Sequence, residues 1–431
     1  MEIKVSKLKD VMDLVKPAVP KKPTVKVAAY LSLGNGKAVA TDLETMIVVN
    51  LPEANDPMLI PYSSVAEMLK YVPGNETLKM EQKGKIISLV WQEGSATYPT
   101  ENFADFPILP EMGARGEGFI DGDTLIAAMT AALPYVADDE KRSNLNGVTL
   151  VLGNPVEVAA GDGFRMTHQT LGLSFPLEEK IIIPAHSVAI LEHVFKKTPR
   201  TPPTAADTIV KFIIAKRHLR VSLVGENKLK VDFGTTATVY VNLTDAKPPE
   251  WLALIPKGDP ILQSQIFVPQ LEAAAKRVRD IAKEGSGIVR MEFADGHVKL
   301  SAKKDDQEIT TIVDTLFTQG EPGKTALNQK YLLEYLSGKQ GIITFSKYTD
   351  NGPTVFEYQQ SPRVLIMPMY VQGDDEKPLA EAETTAPETS DIKEAVDTEE
   401  EEKEEDGDEF KSEADEAAEQ ETNEETPVNT D

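Results

Sequence analysis

The sequence contains no cysteine, which excludes disulfide bonds and thiolate metal sites. Aromatic residues are few, at 6% of 431 residues, and only two are tryptophan. No apolar run approaches the roughly 20 residues that a membrane helix needs. The first residues, Met-Glu-Ile-Lys-Val-Ser-Lys, lack the apolar stretch of a signal peptide. We therefore expect a cytoplasmic protein that does not engage a membrane.

Negative charge is concentrated at one end of the chain. Residues 373–431 contain 26 acidic residues and four lysines, a net charge of −22, which leaves −3 of the total −25 for residues 1–372. This acidic tail cannot bury enough apolar surface to offset chain entropy, and we predict that it is disordered. Because the rest of the chain is nearly neutral, bulk charge gives no positive argument for a nucleic-acid partner.

Residues 1–372 contain a threefold internal repeat. In each copy a short apolar strand leads into an amphipathic helix with apolar residues at i, i+3, i+4 and i+7, beginning near Leu8, Leu125 and Leu271. A second amphipathic helix follows at a nearly constant offset, and we expect these helices over residues 63–71, 185–196 and 328–336. The constant spacing indicates three similar units.

Turn signals and alternating apolar residues predict strand pairs around these helices. Glycine-containing turns occur at 34–36, 153–155 and 295–296, and further hairpins are expected within 86–97, 219–243 and 342–369. The predicted fold class is α+β, with three tandem similar domains, each having two helices packed on antiparallel sheets. Boundaries near Arg115 and Lys257 give domains 1–115, 116–257 and 258–372, followed by the tail, 373–431.

No constellation of residues predicts catalysis. Gly323-Lys324-Thr325 resembles the end of a phosphate-binding loop, but the position where that motif needs its first glycine is Thr318. Ser174, His168 and Asp162 fall in one short region without the glycine elbow of a hydrolase. The five histidines have no metal-ligand spacing. We therefore expect neither an enzyme nor a bound cofactor or metal.

Short recognisable segments occur in order along the three copies. They are Thr41-Asp42-Leu43-Glu44, Asp105-Phe106-Pro107, Leu145-Asn146-Gly147, Asp162-Gly163-Phe164-Arg165 and Leu365-Ile366-Met367-Pro368-Met369. With this order, residues 1 to about 372 resemble the bacterial DNA polymerase III beta subunit, or sliding clamp, family. The resemblance implies two chains joined head to tail in a ring around duplex DNA, with helices lining the hole and a replicative polymerase held on the DNA.

The resemblance implies loose contacts between the hole of the ring and DNA phosphates, without base readout. Lys22 matches a family position that carries a basic residue near DNA. The other candidates lie on or beside the predicted lining helices, and for each an ordinary surface charge is the alternative: Lys141, Arg142, Lys196, Lys197, Lys276, Arg277, Arg279 and Lys283.

The resemblance also implies a cleft between the second and third domains that takes short apolar peptides of the polymerase, the clamp loader and repair proteins. The matched positions are Leu145, Gly163, Phe164, Arg165, Met166, Pro249, Leu254, Leu365, Ile366, Met367, Pro368 and Met369. Core packing is the alternative for each. Phe164, Gly161, Ala253 and Tyr370 replace the family's histidine, threonine, a basic residue and a terminal arginine, which makes the peptide preference uncertain.

Ring closure would join the first domain of one chain to the third domain of its neighbour. Ile281 matches a family position at this homodimer interface, and the strand region 86–98 is expected to supply part of the other face. Two other functions stay open: a clamp-like scaffold that binds peptides without closing a ring, and a hydrolase or ATPase that no motif supports. The acidic tail either screens the cleft or discourages non-specific contact with DNA, or it only keeps the protein in solution.

Overall fold

The computed structural model describes residues 1–110, 113–139, 141–198, 217–294, 296–359 and 362–370. One compact unit spans Met1–Val371. The acidic tail lies outside the described residues, so its disorder stays a prediction. No helix in the described ranges combines the length and apolar character needed to cross a membrane.

The described elements follow the same order three times, and each pass through that order is called a repeat. The first repeat comprises β1 (Glu2–Lys4), α1 (Val5–Val15), β2 (Tyr30–Gly34), β3 (Lys37–Thr41), β4 (Thr45–Asn50), β5 (Met58–Pro61), α2 (Tyr62–Leu69), β6 (Thr77–Lys83), β7 (Ile86–Trp91) and β8 (Gly94–Pro99). The second comprises β9 (Ala114–Asp121), α3 (Gly122–Ala132), β10 (Gly147–Leu152), β11 (Val156–Gly161), β12 (Arg165–Leu171), β13 (Glu179–Pro184), α4 (Ala185–Lys197), β14 (His218–Val224), β15 (Lys228–Phe233) and β16 (Ala237–Asn242).

After the short helix α5 (Trp251–Leu254), the order begins again. The third repeat comprises β17 (Leu262–Phe267), α6 (Val268–Glu284), β18 (Ile288–Ala294), β19 (His297–Lys304), β20 (Gln307–Gly320), β21 (Gly323–Asn328), α7 (Gln329–Leu336), β22 (Ile342–Lys347), β23 (Thr354–Tyr358) and β24 (Arg363–Ile366). Two helices on antiparallel sheets thus recur in each repeat.

Strand pairing joins the repeats to each other. β4 pairs antiparallel with β16, which produces an eight-stranded sheet of order β5-β2-β3-β4-β16-β15-β14-β9 across the first and second repeats. β12 pairs with β24 in the same way, within a twelve-stranded sheet across the second and third repeats. Strands β1, β6, β7 and β8 form a separate sheet. Each junction between repeats is therefore a ladder of backbone hydrogen bonds.

The helices pack on the sheets through stripes of apolar side chains. In α6 the buried residues Leu271, Ala274, Val278 and Ala282 recur at helical spacing on one face. Gly285 ends this helix, and its N–H donates to the carbonyl of Ile281 at 3.0 Å. The same pattern in α1 and α3 contributes to one apolar core that extends through all three repeats.

The predicted second helices are confirmed, with ends that shift by one or two residues. They are Tyr62–Leu69, Ala185–Lys197 and Gln329–Leu336. The boundary predicted near Arg115 falls inside β9, and Lys257 lies in the segment between α5 and β17. The division into three domains at these residues stays a prediction.

Candidate functional site

The junction between the second and third repeats places apolar residues of two strands side by side. Met166 of β12 lies directly opposite Leu365 of β24. Because alternate residues of a strand face opposite sides, both side chains lie on the face of the sheet away from the main core. They form a separate buried cluster, called the cleft floor, that comprises Ala159, Met166, Trp251, Val355 and Leu365.

Trp251 is the largest side chain of this floor. Its indole N–H donates to Thr149 Oγ1 at 3.0 Å, and the side chain is almost fully buried. Gly161 makes the position available, because a Cβ atom there would come within 2.7 Å of Trp251 Cζ3. Gly161 is thus the residue that admits the tryptophan ring to the cleft.

Three large apolar side chains remain exposed beside the floor and form the cleft rim. Phe164 is 54% exposed, Leu254 55% and Met367 44%. The carbonyl of Phe164 accepts a hydrogen bond from the N–H of Met367 at 2.8 Å, so residues from two repeats meet at the rim. Leu145 is half-buried and packs against the floor. An exposed apolar rim over a buried floor suits the binding of apolar peptide side chains, and methionine adapts to varied partners.

A turn anchored by Asp162 holds Phe164 in place. Asp162 Oδ1 accepts hydrogen bonds from the N–H groups of Phe164 and Arg165 at 2.8 and 2.9 Å. Gly163 has φ +95° within this turn. Arg142 donates to the carbonyl of Asp162 at 3.1 Å and pairs with Asp139 at 3.3 Å. Arg142 therefore lies in a loop at the cleft, and its assignment to DNA binding stays a prediction.

Arg165 points to the opposite side of the sheet and connects the two repeats. Its guanidinium pairs with Asp162 at 3.1 Å and with Glu334 of α7 at 2.5 Å, and it donates to the carbonyl of Pro134 at 2.7 Å. It also lies over the ring of Tyr331, 4.2 Å from the centroid. Burial opposes the charge, but the bonds to Glu334 and Asp162 outweigh it and leave the pKa of Arg165 raised.

Two residues predicted for the cleft lie elsewhere. Arg165 faces the helices, as described above, and Ile366 is fully buried in the main core because it alternates with Leu365. Met369 donates its N–H to the carbonyl of Ala326 on β21, at 2.7 Å. Pro368 is half-buried, and the carbonyl of Pro249 accepts from the N–H of Trp251 at 3.0 Å.

The candidate DNA-binding residues of α6 occupy two faces of the helix. Lys276, Arg279 and Lys283 are exposed and share one face by their i, i+3, i+7 spacing. Their observed ion pairs, Lys276 with Glu272 at 2.8 Å and Arg279 with Asp280 at 3.0 Å, are exposed and therefore weak. Arg277 instead donates to Thr311 Oγ1 on β20 at 3.3 Å.

The remaining basic candidates are exposed but scattered. Lys196 and Lys197 end α4 and pair with Glu192 at 2.7 Å and Asp13 at 2.5 Å. Lys22 and Lys141 lie exposed in loops. Ile281, the candidate interface residue, is half-buried on α6 and packs against the main core.

Sequence reasoning missed Trp251, Glu334 and Tyr331 as parts of this junction. Trp251 is one of two tryptophans, and its rarity was the available signal. Nothing in the sequence pairs Glu334 with Arg165, because that contact spans two repeats.

Comparison with known proteins gives one consistent result. Residues 253–370 match the family model for the DNA polymerase III beta subunit, C-terminal domain. The beta sliding clamp of Pseudomonas aeruginosa strain PAO1 is 22% identical over 374 residues, which cover 83% of this chain and 96% of that protein. The beta sliding clamp of Caulobacter vibrioides is 22% identical over 352 residues, which cover 77% of this chain and 88% of that protein.

Solved structures share the fold. The DNA polymerase III beta subunit of Thermotoga maritima has a TM-score of 0.74 at 20% identity, and that of Pseudomonas aeruginosa has 0.75 at 19% identity. Each match covers 86% of this chain and 99% of the other. The α+β clamp fold is thereby confirmed. The family model, the sequence relatives and the solved structures all point to the bacterial DNA polymerase III beta subunit family.

Proposed function

We propose that the chain is a DNA sliding clamp: two copies form a ring around duplex DNA, and the cleft tethers a replicative polymerase. The relatives that match this chain over most of their own length are named beta sliding clamp, and this chain shares the clamp fold. The proposal extends to the clamp loader and repair proteins as further cleft partners, and to a cytoplasmic location.

The observation that carries the ring is a pair of free strand edges. Each internal junction pairs the third strand after the first helix of one repeat with the last strand of the next repeat. These pairs are β4 with β16 and β12 with β24. The corresponding strands left over are β20 and β8. Within the described ranges, β8 pairs only with β7, and residues 307–314 of β20 pair only with β19. Exposed edges of this kind pair with another chain unless they are protected.

A second copy can satisfy both edges. Joining β8 of each chain to β20 of its neighbour repeats the internal junction twice more and closes a ring of six repeats. Exposed apolar side chains accompany both edges, with Ile86 and Val90 on β7 and Ile312 and Leu316 on β20. Arg277 reaches Thr311 of β20, so it and Ile281, one helical turn on, lie on the side of α6 near this edge.

In this proposal, exposed basic side chains on helices make the contacts with DNA. Lys276, Arg279 and Lys283 on α6, with Lys196 and Lys197 on α4, can approach phosphates without reading bases. Such contacts are weakened by salt and exchange readily. A closed ring does not need tight contacts, because it stays on circular DNA by enclosing it.

Two measurements test the ring. The mass in solution should be twice the chain mass of 47.2 kDa. Loaded protein should stay on nicked circular plasmid and leave after linearisation, because a ring slides off a free end. A single-chain mass with binding that ignores DNA ends would reject the clamp and leave the peptide-binding scaffold as the better reading.

One substitution links the free edge to the ring. Ile312→Asp introduces a charge at a 60% exposed position of β20 and should shift the mass to that of one chain and abolish retention on circles. Phe119→Asp is the matched control, since Phe119 is an exposed apolar residue of β9, 71% exposed, away from both edges. If the two variants behave alike, β20 does not close the ring.

The cleft can be tested with griselimycin, which a Pseudomonas aeruginosa sliding clamp binds in a crystal structure. This chain should bind it, and Met367→Ala should weaken binding by about tenfold, the effect of one well-packed apolar contact. Phe119→Ala should leave it unchanged. Equal losses in both variants would place the ligand outside the cleft.

A further inference from the structure

A second concavity lies beside α5. It is a groove of about 1020 Å³ between the segment that follows α5 and strands β12, β22, β23 and β24. We call it the outer groove, and its principal lining residues are His168, Leu252, Lys257, Ile342, Thr344 and Arg363. Its volume lies at the upper end for ligand pockets.

The outer groove continues from the cleft along the same two strands. Met166 and Leu365 form one cross-strand pair in the cleft floor, and His168 and Arg363 form the pair two residues further on. Residues two apart on a strand face the same side, so both pairs lie on one surface. A peptide that extends from the cleft along β12 and β24 therefore reaches the outer groove on the same face of the sheet.

Part of the outer groove is apolar. Leu252 is 54% exposed and Ile342 is 46% exposed. Phe267 lies directly opposite Ile342 in the β17–β22 ladder and is 39% exposed, so it extends the same surface. Exposed large apolar groups that cluster beside a groove are typical of a binding surface, whereas scattered ones are not.

The outer groove also contains one cation that has no partner among the described residues. Arg363 pairs with Glu357 at 2.8 Å, and Glu250 pairs with Lys180 at 2.7 Å, so both acidic groups of the groove are already neutralised. His168 contacts Glu157 at 3.1 Å. Among the described residues, Lys257 makes no ion pair or side-chain hydrogen bond. The groove therefore offers an unmatched positive charge to a carboxylate.

We propose that the outer groove binds an extended peptide segment of a cleft partner, with a large apolar side chain against Leu252 and Ile342 and a carboxylate at Lys257. The proposal rests on the proposed function, since it treats the segment as a continuation of the peptide in the cleft. It adds a selectivity rule: partners carry an apolar residue and a nearby acidic residue next to their cleft-binding motif.

The absence of cysteine permits a clean test by disulfide tethering in the full-length chain. Thr344→Cys introduces one thiol into the groove. The probes are cysteamine-disulfide-capped tripeptides Phe-Gly-Asp and Phe-Gly-Asn, and mass spectrometry measures labelling at increasing reductant. We expect about fivefold stronger labelling by the aspartate probe, which is the effect of one exposed ion pair.

Three further variants separate the contributions. Lys257→Gln in the Thr344→Cys background should make the two probes equal, and Leu252→Ala should lower labelling by both. Thr235→Cys, an exposed thiol in the β15–β16 turn, is the control and should not distinguish the probes. A capped phenylalanine without the other two residues tests for a small-molecule site and should label weakly.

Labelling of Thr344→Cys at the level of Thr235→Cys, or a preference for aspartate that survives Lys257→Gln, would overturn the groove proposal. Equal labelling by capped phenylalanine would replace the peptide by a small aromatic ligand. Because tethering needs neither ring closure nor an occupied cleft, these failures differ from failure of plasmid retention or griselimycin binding.

Discussion

Arg165 contributes to structure, although its position in the sequence suggested the cleft. It is a buried cation held by Asp162 from its own repeat and Glu334 from the next. Burial raises the pKa of the neighbouring Tyr135 to about 12, so this phenol stays neutral next to the guanidinium. The site thus depends on a buried charge network that fixes the junction under the cleft.

Arg165→Met should lower the free energy of unfolding by about 3 kcal/mol, because removing one partner leaves Asp162 buried without its counter-charge. Urea denaturation at neutral pH measures the loss. Lys283→Met, at an exposed position, is the control and should change the free energy by less than about 0.5 kcal/mol. A loss as small as that of the control would mean that water hydrogen-bonds to the Asp162 carboxylate well enough to replace Arg165.

Gly161 and Trp251 form the second residue-scale feature. Gly161→Thr places a side chain where Trp251 now lies, and should move the indole towards water at a cost of about 1–3 kcal/mol. With Trp91→Phe in the background, Trp251 is the only tryptophan, and its emission should shift to longer wavelength. Gly172→Ala, where a Cβ meets nothing within 4 Å, should leave emission unchanged. An unshifted Gly161→Thr spectrum would show that the ring is not confined there.

At this scale the sequence picked out segments that meet at the junction of the second and third repeats, but not the side that each residue faces. Phe164, Leu254 and Met367 do reach the rim, and Met166 and Leu365 the floor. Strand alternation would have removed Arg165 and Ile366 from the prediction, had the strand ends been known. A resemblance to a family assigns residue types to positions in the chain. The side of the sheet to which each side chain points depends on the register of its strand, which the resemblance does not give.

At the scale of elements, helices were predictable and strand partners were not. The periodicity of α1, α3 and α6 is local, so a short stretch of sequence contains it. The pairs β4–β16 and β12–β24 join residues more than 180 positions apart, and no local pattern encodes them. The free edges of β8 and β20, on which the proposed ring closure rests, therefore became visible only in the structure.

The junction between the first and second repeats uses a different ion pair at a similar turn. Asp42 Oδ1 accepts from the N–H groups of Glu44 and Thr45, as Asp162 does in the second repeat. Asp42 Oδ2 contacts His186 at the start of α4, at 2.5 Å. The hydrogen bond to Asp42 outweighs the effect of burial, and nearby Glu44 adds attraction, so the pKa of His186 is raised.

This junction should weaken as pH rises. A raised pKa means that the stabilisation is fully present below the ordinary histidine value of about 6.5 and is lost as pH rises through the folded-state pKa. The stability difference between the wild type and His186→Asn should therefore be larger at about pH 5.5 than at about pH 8. Urea midpoints at both pH values measure it, with His218→Asn, an exposed histidine of β14, as control. A difference that grows towards pH 8 would contradict the assignment.

At the scale of the whole molecule, charge is divided between a nearly neutral body and a strongly acidic tail. In the proposed ring the body encloses DNA and does not depend on strong attraction to phosphates. A segment with net charge −22 repels DNA over about the screening length, whatever its conformation. We therefore expect the tail to oppose non-specific contact with DNA more than it would affect a ring already closed.

Deleting residues 373–431 should raise binding to short linear duplexes, which a ring cannot retain, and should do so more at about 50 mM than at about 200 mM salt. Retention on nicked circles should change little, because enclosure does not depend on screening. Replacing the acidic residues of the tail by glutamine and asparagine at constant length separates charge from chain length, and should reproduce the deletion. If the deletion leaves duplex binding and griselimycin affinity the same at both salt concentrations, the tail neither repels DNA nor screens the cleft, and only its effect on solubility remains.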